Sequence, residues 1–221
     1  VEQIGISQVV TAHSCPVRLY LEQSTGSTGE SPRYTISKQV SYQLGRALDT
    51  EVLWEEVTAI QPNIEPEFQE FLVECVNACR GKEWRKPVQT DVQVSSDRFG
   101  IRGVVDKIFE EEPFFALTRS SSAPKAGVYL GDRIRVACYA LCIKESLHLP
   151  VEAGLIEYIP GGAIRLCRPE PRDRRAMLQG IRSAQKVLTG EVPRRPLRAP
   201  CATCPHEDRC LPKARRLSDI M

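Results

Sequence analysis

The stretch Cys201-Ala202-Thr203-Cys204-Pro205-His206-Glu207-Asp208-Arg209-Cys210 constrains this chain more than any other. Three thiols stand at C-x2-C-x5-C spacing in a short polar segment that has too little apolar surface to pack by itself. A two-residue gap lets two sulfurs face one ion, and a longer loop returns the third. Tetrahedral coordination asks for a fourth ligand. Cys15, followed by Pro16, is the candidate, and His206 is the local alternative. With Cys15 as the fourth, one metal site would clip the two ends of the chain together. A loop that long is where such a clip constrains the unfolded chain most in theory.

Spacing alone leaves a structural zinc site and an iron–sulfur cluster both open, because thiolate suits either metal. Disulfides fit poorly: the nine cysteines are an odd number, and no signal-peptide pattern opens the sequence. Cys75 and Cys79 stand four apart on an apolar helical face, as do Cys138 and Cys142. With Cys167 on an expected strand, these read as small core hydrophobes. Reduced, metal-binding cysteines point to the cytoplasm. No apolar run approaches the roughly 18 residues of a membrane span, so no membrane partner is expected.

The length of 221 residues, with 42% apolar and 26% charged residues, suits one well-packed soluble domain with at most a small appendage. Net charge is only +2 but is unevenly placed. Residues 161–221 carry 14 Lys+Arg against 6 Asp+Glu, while residues 1–160 carry 16 against 22. A basic final third beside a metal cluster suits a polyanion-binding surface. Arg172, Arg174, Arg175 and Arg182 would equally suit a solvated helix face.

Along the chain, residues 6–14 read as a short helix stopped by Cys15-Pro16. Residues 22–36 read as a polar, mobile loop. Residues 37–59 read as one helix with Val40, Leu44, Leu48 and Val52 on a stripe, and 65–80 as another. Period-two alternation then gives strands over 90–95, 100–109 and 114–119, the last two joined by Glu110-Glu111-Glu112-Pro113. Helical spacing returns over 132–147. A hairpin over 153–159 and 163–167 turns at Pro160-Gly161-Gly162, and a basic helix covers 171–189. The segment 192–200, with its three prolines, should be extended.

This order, with Cys15-Pro16-Val17-Arg18-Leu19-Tyr20, Gly45-Arg46, Gly103-Val104-Val105-Asp106, Tyr139 and the terminal C-x2-C-x5-C, resembles the RecB-like branch of the PD-(D/E)xK nucleases. Within that branch it is similar to the CRISPR-associated Cas-four family. The resemblance implies an α/β fold. Its αβββαβ core would hold a mixed central sheet flanked by helices over 37–189. An iron–sulfur region would be formed by 1–36 and 190–221, with Cys15, Cys201, Cys204 and Cys210 holding a [4Fe–4S] cluster. It also implies a DNA exonuclease that uses Mg or Mn to prepare spacers, working on single strands or ends with the integrase proteins.

The pattern is broken where that chemistry needs it. Carboxylate ligands should hold the ion, which then polarises the scissile phosphate and generates hydroxide. Asp106 is present. The helical His position is Asp49, the second carboxylate is Leu117 and the lysine is Arg119. The Gln that precedes Tyr139 by four residues is Arg135. Asp106 and Asp49 are the candidate catalytic carboxylates, with Asp106 the candidate divalent-cation ligand. Glu51 and the Glu110–Glu112 run are poorly placed substitutes. Arg119, Arg135 and Tyr139 are the candidate DNA contacts. An ion pair of Asp106 with Arg119 or Arg135 is the expected fate of the leftover carboxylate. The expectation is therefore a DNA-binding protein with lost or reduced cleavage, acting beside the integrase or an active nuclease paralogue. An active exonuclease and a zinc-stabilised protein of unrelated role are the alternatives.

Overall fold

The computed structural model describes residues 3–25 and 30–210. A two-residue strand β1 (Ile4–Gly5) leads into α1 (Ile6–Ser14), which stops at Cys15. Helix α2 (Pro16–Thr25) then begins on the proline. Three helices follow, α3 (Pro32–Gln43), α4 (Thr50–Ile60) and α5 (Phe68–Cys79). Strands β2 (Gln89–Ser96), β3 (Ile101–Ile108) and β4 (Phe115–Arg119) precede α6 (Leu130–Ser146). The hairpin β5 (Gly154–Tyr158) and β6 (Ala163–Cys167), the helix α7 (Pro171–Leu188) and the short α8 (Glu207–Cys210) complete the order.

The six strands form one mixed sheet. Along β1-β3-β4-β5-β6, the β1–β3 and β4–β5 pairs are parallel and the others antiparallel, and β2 also pairs antiparallel with β3. Helices cover both faces. Ile6, Val9, Val10, Ile134, Cys138, Cys142, Met177 and Ile181 of α1, α6 and α7 join Val105, Phe115, Leu117 and Ile156 in the larger core. On the other side Ile36, Val40, Leu53, Val57, Leu72, Cys75 and Cys79 of α3 to α5 make a second core with Ile159. The five cysteines read as core hydrophobes are all buried and unpaired, and burial pushes the Cys75 thiol up to about 12.

Two expectations for the helices need correction. Residues 37–59 are not one helix. The chain breaks after Gln43, where Gly45 takes φ +82, and restarts at Asp49. A Cβ on Gly45 would also stand 3.0 Å from Lys86 Cγ. Turn chemistry thus overrides the apolar stripe, and Val52, placed on it, is exposed. Residues 22–36 are not one loop either. Helix α2 runs to Thr25, and α3 starts at Pro32 behind Ser31, whose hydroxyl accepts from Tyr34 N. Ser-Pro at these positions is a helix start. The centre of that expected loop, residues 26–29, lies outside the described residues.

Strand β3 carries the site because of how its two edges are used. One edge pairs with β2 from Ile101 to Ile108. The other is shared: β1 takes Ile101 and Arg102, β4 takes Lys107 and Ile108, and among the described residues no strand lies against 103–106 between them. The sheet is therefore notched in its middle, at Gly103-Val104-Val105-Asp106.

Candidate active-site cleft and cysteine cavity

The notch opens into a cleft of about 940 Å³. Gly5, Ile6, Arg102, Gly103, Asp106, Leu117, Thr118, Arg119, Arg135 and Tyr139 line it together, with Glu30, Tyr34 and Lys38 from α3 and the segment before it. The sequence-derived cluster of Asp106, Leu117, Arg119, Arg135 and Tyr139 is thus one place in space. Gly103 is required there. A Cβ on it would stand 2.8 Å from Tyr139 Cε1 and 2.9 Å from Ile6 Cδ1, so the ring of Tyr139 closes over bare backbone.

Asp106 is buried, and its partners are not the expected arginines. Its Oδ2 accepts from Thr118 N at 2.8 Å and its Oδ1 from the Tyr34 hydroxyl at 3.1 Å. Burial pushes its carboxyl up from 3.8 to about 6; the Thr118 N–H, the Lys38 charge and the Tyr34 hydroxyl oppose the rise, and Asp91 adds to it. Arg119 and Arg135 pair instead with Asp132, one turn from Arg135 on α6. Arg135 Nη1 lies 3.2 Å and Arg119 Nε 2.9 Å from Asp132 Oδ1, although the Arg119 Nε–H is not aimed at that oxygen. The second oxygen of Asp132 accepts from the Tyr158 hydroxyl. Asp132 is buried, and its Oδ1 is shared by Arg135, one turn away on α6, and by Arg119 at the end of β4.

Asp49 is not in the cleft. Its Oδ1 caps α4, accepting from Glu51 N at 2.9 Å and Val52 N at 3.3 Å. An aspartate just before a helix does this ordinarily, and Asp49 is not among the residues that line the cleft. Glu51 is exposed, and Glu112 accepts from Glu152 N. Arg172, Arg174, Arg175 and Arg182 are exposed on α7, and none lines the cleft.

Two residues of the cleft, Tyr34 and Lys38, carry no motif in the sequence, and neither does their neighbour Tyr42. Tyr34, Lys38 and Tyr42 stand four apart on α3 and present one face to β2 and β3. Tyr34 reaches Asp106, while Lys38 Nζ and the Tyr42 hydroxyl reach Asp91 Oδ1 at 2.8 and 2.6 Å. The helix begins inside the segment read as loop, so its stripe went uncounted. The Ser31-Pro32 start was the available signal.

For a divalent cation the residues present do not fit. Asp106 is the one carboxylate on β3 or β4 that lines the cleft, and both its oxygens already accept hydrogen bonds. Leu117 offers no lone pair, and Arg119 brings a fixed positive charge.

The cysteine frame has its own cavity. Cys15, Cys201, Cys204 and Cys210 all line it, with Arg18, Leu21, Arg195 and Glu207. His206 does not line it, which favours Cys15 as the fourth donor. Burial and the charges of Cys15, Cys201 and Cys204 push the Cys210 thiol up, while Arg195 opposes. Four thiol donors around one space have the chemistry for a soft metal or an iron–sulfur cluster. Among the described residues, however, no three His, Cys, Asp or Glu side chains close into a group that could hold an ion.

Beneath the cleft runs a buried polar chain. Lys107 Nζ lies 2.7 Å from Glu157 Oε2, which also accepts from Ser41 Oγ; Ser41 in turn accepts from Thr118 Oγ1. Thr118 therefore joins this network to Asp106 through its own backbone N–H.

No protein-family model matches this sequence, and no curated protein matches it. Among solved structures, a Eubacterium rectale protein described as "Putative exonuclease" superimposes with a TM-score of 0.63 at 12% identity, covering 100% of this chain and 93% of that one. The chain shares that protein's fold, a mixed sheet with flanking helices.

Proposed function

We propose that this chain is a RecB-like protein of the Cas-four type that holds the end of a DNA strand in the β3 notch without cleaving it. The observation that carries the reading is the charge inventory of the cleft. Lys38, Arg102, Arg119 and Arg135 surround it, against Asp106 and Glu30. Cations without a second metal-binding carboxylate suit phosphate binding and not divalent-metal hydrolysis. Tyr139, laid over Gly103 at the cleft wall, offers an aromatic face for a base. Cys15, Cys201, Cys204 and Cys210 would hold a [4Fe–4S] cluster, or zinc, and tie the chain's end to α1. Its setting would be spacer acquisition, beside integrase proteins or an active nuclease that does the trimming. The cysteine frame and the nuclease-like fold support that setting.

The test is binding and trimming by the same preparation. Single-stranded DNA and duplex ends should bind with affinity that falls steeply with salt, and Arg135→Ala should weaken both. Manganese should produce no trimming in the wild type. Robust manganese-dependent trimming that disappears in Asp106→Ala returns the protein to the exonuclease class. Colourless protein with stoichiometric zinc replaces the cluster by zinc. No binding to either DNA form ends the nucleic-acid reading.

A further inference from the structure

The antiparallel register of β2 and β3 places Thr90 opposite Lys107 and Val92 opposite Val105. Asp91 therefore stands opposite Asp106, and the ladder pairing lapses at that one position. Asp91 there takes φ +53 within a strand. Two carboxylates directly opposed across strands repel each other, and Asp91 raises the Asp106 carboxyl. One cation answers both. Lys38 reaches in from α3, its side chain only 18% exposed, with Nζ 2.8 Å from Asp91 Oδ1. It lines the cleft beside Asp106 and Glu30. Burial works to lower the Lys38 ammonium, but the bond to Asp91 and the charges of Asp91, Glu30 and Asp106 outweigh it, and the net direction is up. Tyr34 and Tyr42, one turn to either side on α3, tie the same two carboxylates.

We propose that Lys38 is the cation resident between Asp91 and Asp106, an ammonium that balances both carboxylates and bars divalent ions from the space between them. The proposal rests on the metal-free reading above and gives it a cause. The loss of metal chemistry is then not only the missing second carboxylate at Leu117. It is also the presence of a covalently tethered positive charge, which no chelator removes and which a divalent ion must displace at a cost in repulsion.

The experiment is Mn²⁺ binding to the full chain without DNA, read from the loss of the free-ion electron paramagnetic resonance signal. Failure of DNA binding and failure of this inference are thereby scored separately. Wild-type protein should leave the signal unchanged. Lys38→Met, which keeps the aliphatic stem and removes the charge, should bind Mn²⁺ roughly tenfold or more tightly. Lys38→Arg, which keeps a charge, should behave as wild type, and Lys38→Met with Asp106→Asn should lose the gained affinity. A thermal melt confirms that each variant is folded, and Lys38→Gln replaces Lys38→Met if the latter is not. Two results overturn the proposal: wild type that binds Mn²⁺ as tightly as Lys38→Met, or a folded neutral variant that gains no affinity.

Discussion

Asp106→Asn should make this protein more stable at neutral pH, by an amount that vanishes on acidification. The carboxyl is pushed up from 3.8 to about 6, with burial as the leading cause. The folded state therefore holds that proton more tightly than the unfolded chain does. Between pH 4 and pH 6 the folded state binds more protons, so stability falls as pH rises through this window. Above it the full penalty is present. About 2 pH units at 1.36 kcal/mol each give ~3 kcal/mol. Asparagine mimics the neutral carboxyl: its oxygen can still accept from Thr118 N, and it carries no charge to desolvate. Urea melts of wild type and Asp106→Asn at pH 7.5 and pH 4 measure the difference. The expected result is a more stable variant at pH 7.5, by up to ~3 kcal/mol, and near equality at pH 4. A variant less stable at pH 7.5, or a gap that does not change with pH, would refute the assignment of a desolvation penalty to Asp106.

Gly103→Ala should lose about 1–3 kcal/mol by forcing a Cβ against Tyr139 and Ile6, and should weaken DNA binding along with stability; denaturant melts and filter binding check both. Lys107→Met leaves Glu157 buried without its cation and should cost about 3–5 kcal/mol, whereas Lys107→Met with Glu157→Leu should recover most of it; the double-mutant cycle is read by chemical denaturation. Cys15→Ser should lower bound iron or zinc and the melting temperature together, while Cys167→Ser should leave metal content unchanged, as elemental analysis of the purified variants would show.

Much of the sheet was legible because period-two patterning survives where one face is buried. β2, β3 and β4 lie within one residue of the expected spans, and so does the hairpin that follows them. The two-residue β1 was not legible. Ile4-Gly5 has no pattern of its own and is a strand only because Ile101 and Arg102 offer it an edge. The helix break at Gly45 rests on a positive φ that apolar spacing does not register, so the stripe reads straight through it. At the site, residue identities on β3, β4 and α6 named side chains that line one cleft. The pairing failed because Asp132 had no place in the quoted pattern, and charge partners are decided by which buried oxygen lies nearest. Asp91 was hidden for a similar reason: a carboxylate in an ordinary strand signals nothing until the register sets it opposite Asp106.

Two cation–carboxylate arrangements flank β3, and they differ in kind. Lys107 and Glu157 are buried, 2.7 Å apart and joined by Ser41 and Thr118, so each charge has a partner inside the protein. Such a pair specifies how α3 sits on the sheet and offers little to a ligand. Across the same strand, local rules are broken together. Asp91 takes a left-handed conformation in mid-strand, Asp106 is buried against its own preference to ionise, and one edge of β3 goes unpaired over 103–106 among the described residues. Strain of this kind persists where surrounding structure enforces it, and it gathers at functional sites. The broken rules and the open cleft coincide at Asp106, while the satisfied network lies beneath it at Lys107. Under the proposed function, that division puts the DNA-binding surface on the notch side of β3, where Lys38 of α3 joins Arg102, Arg119 and Arg135.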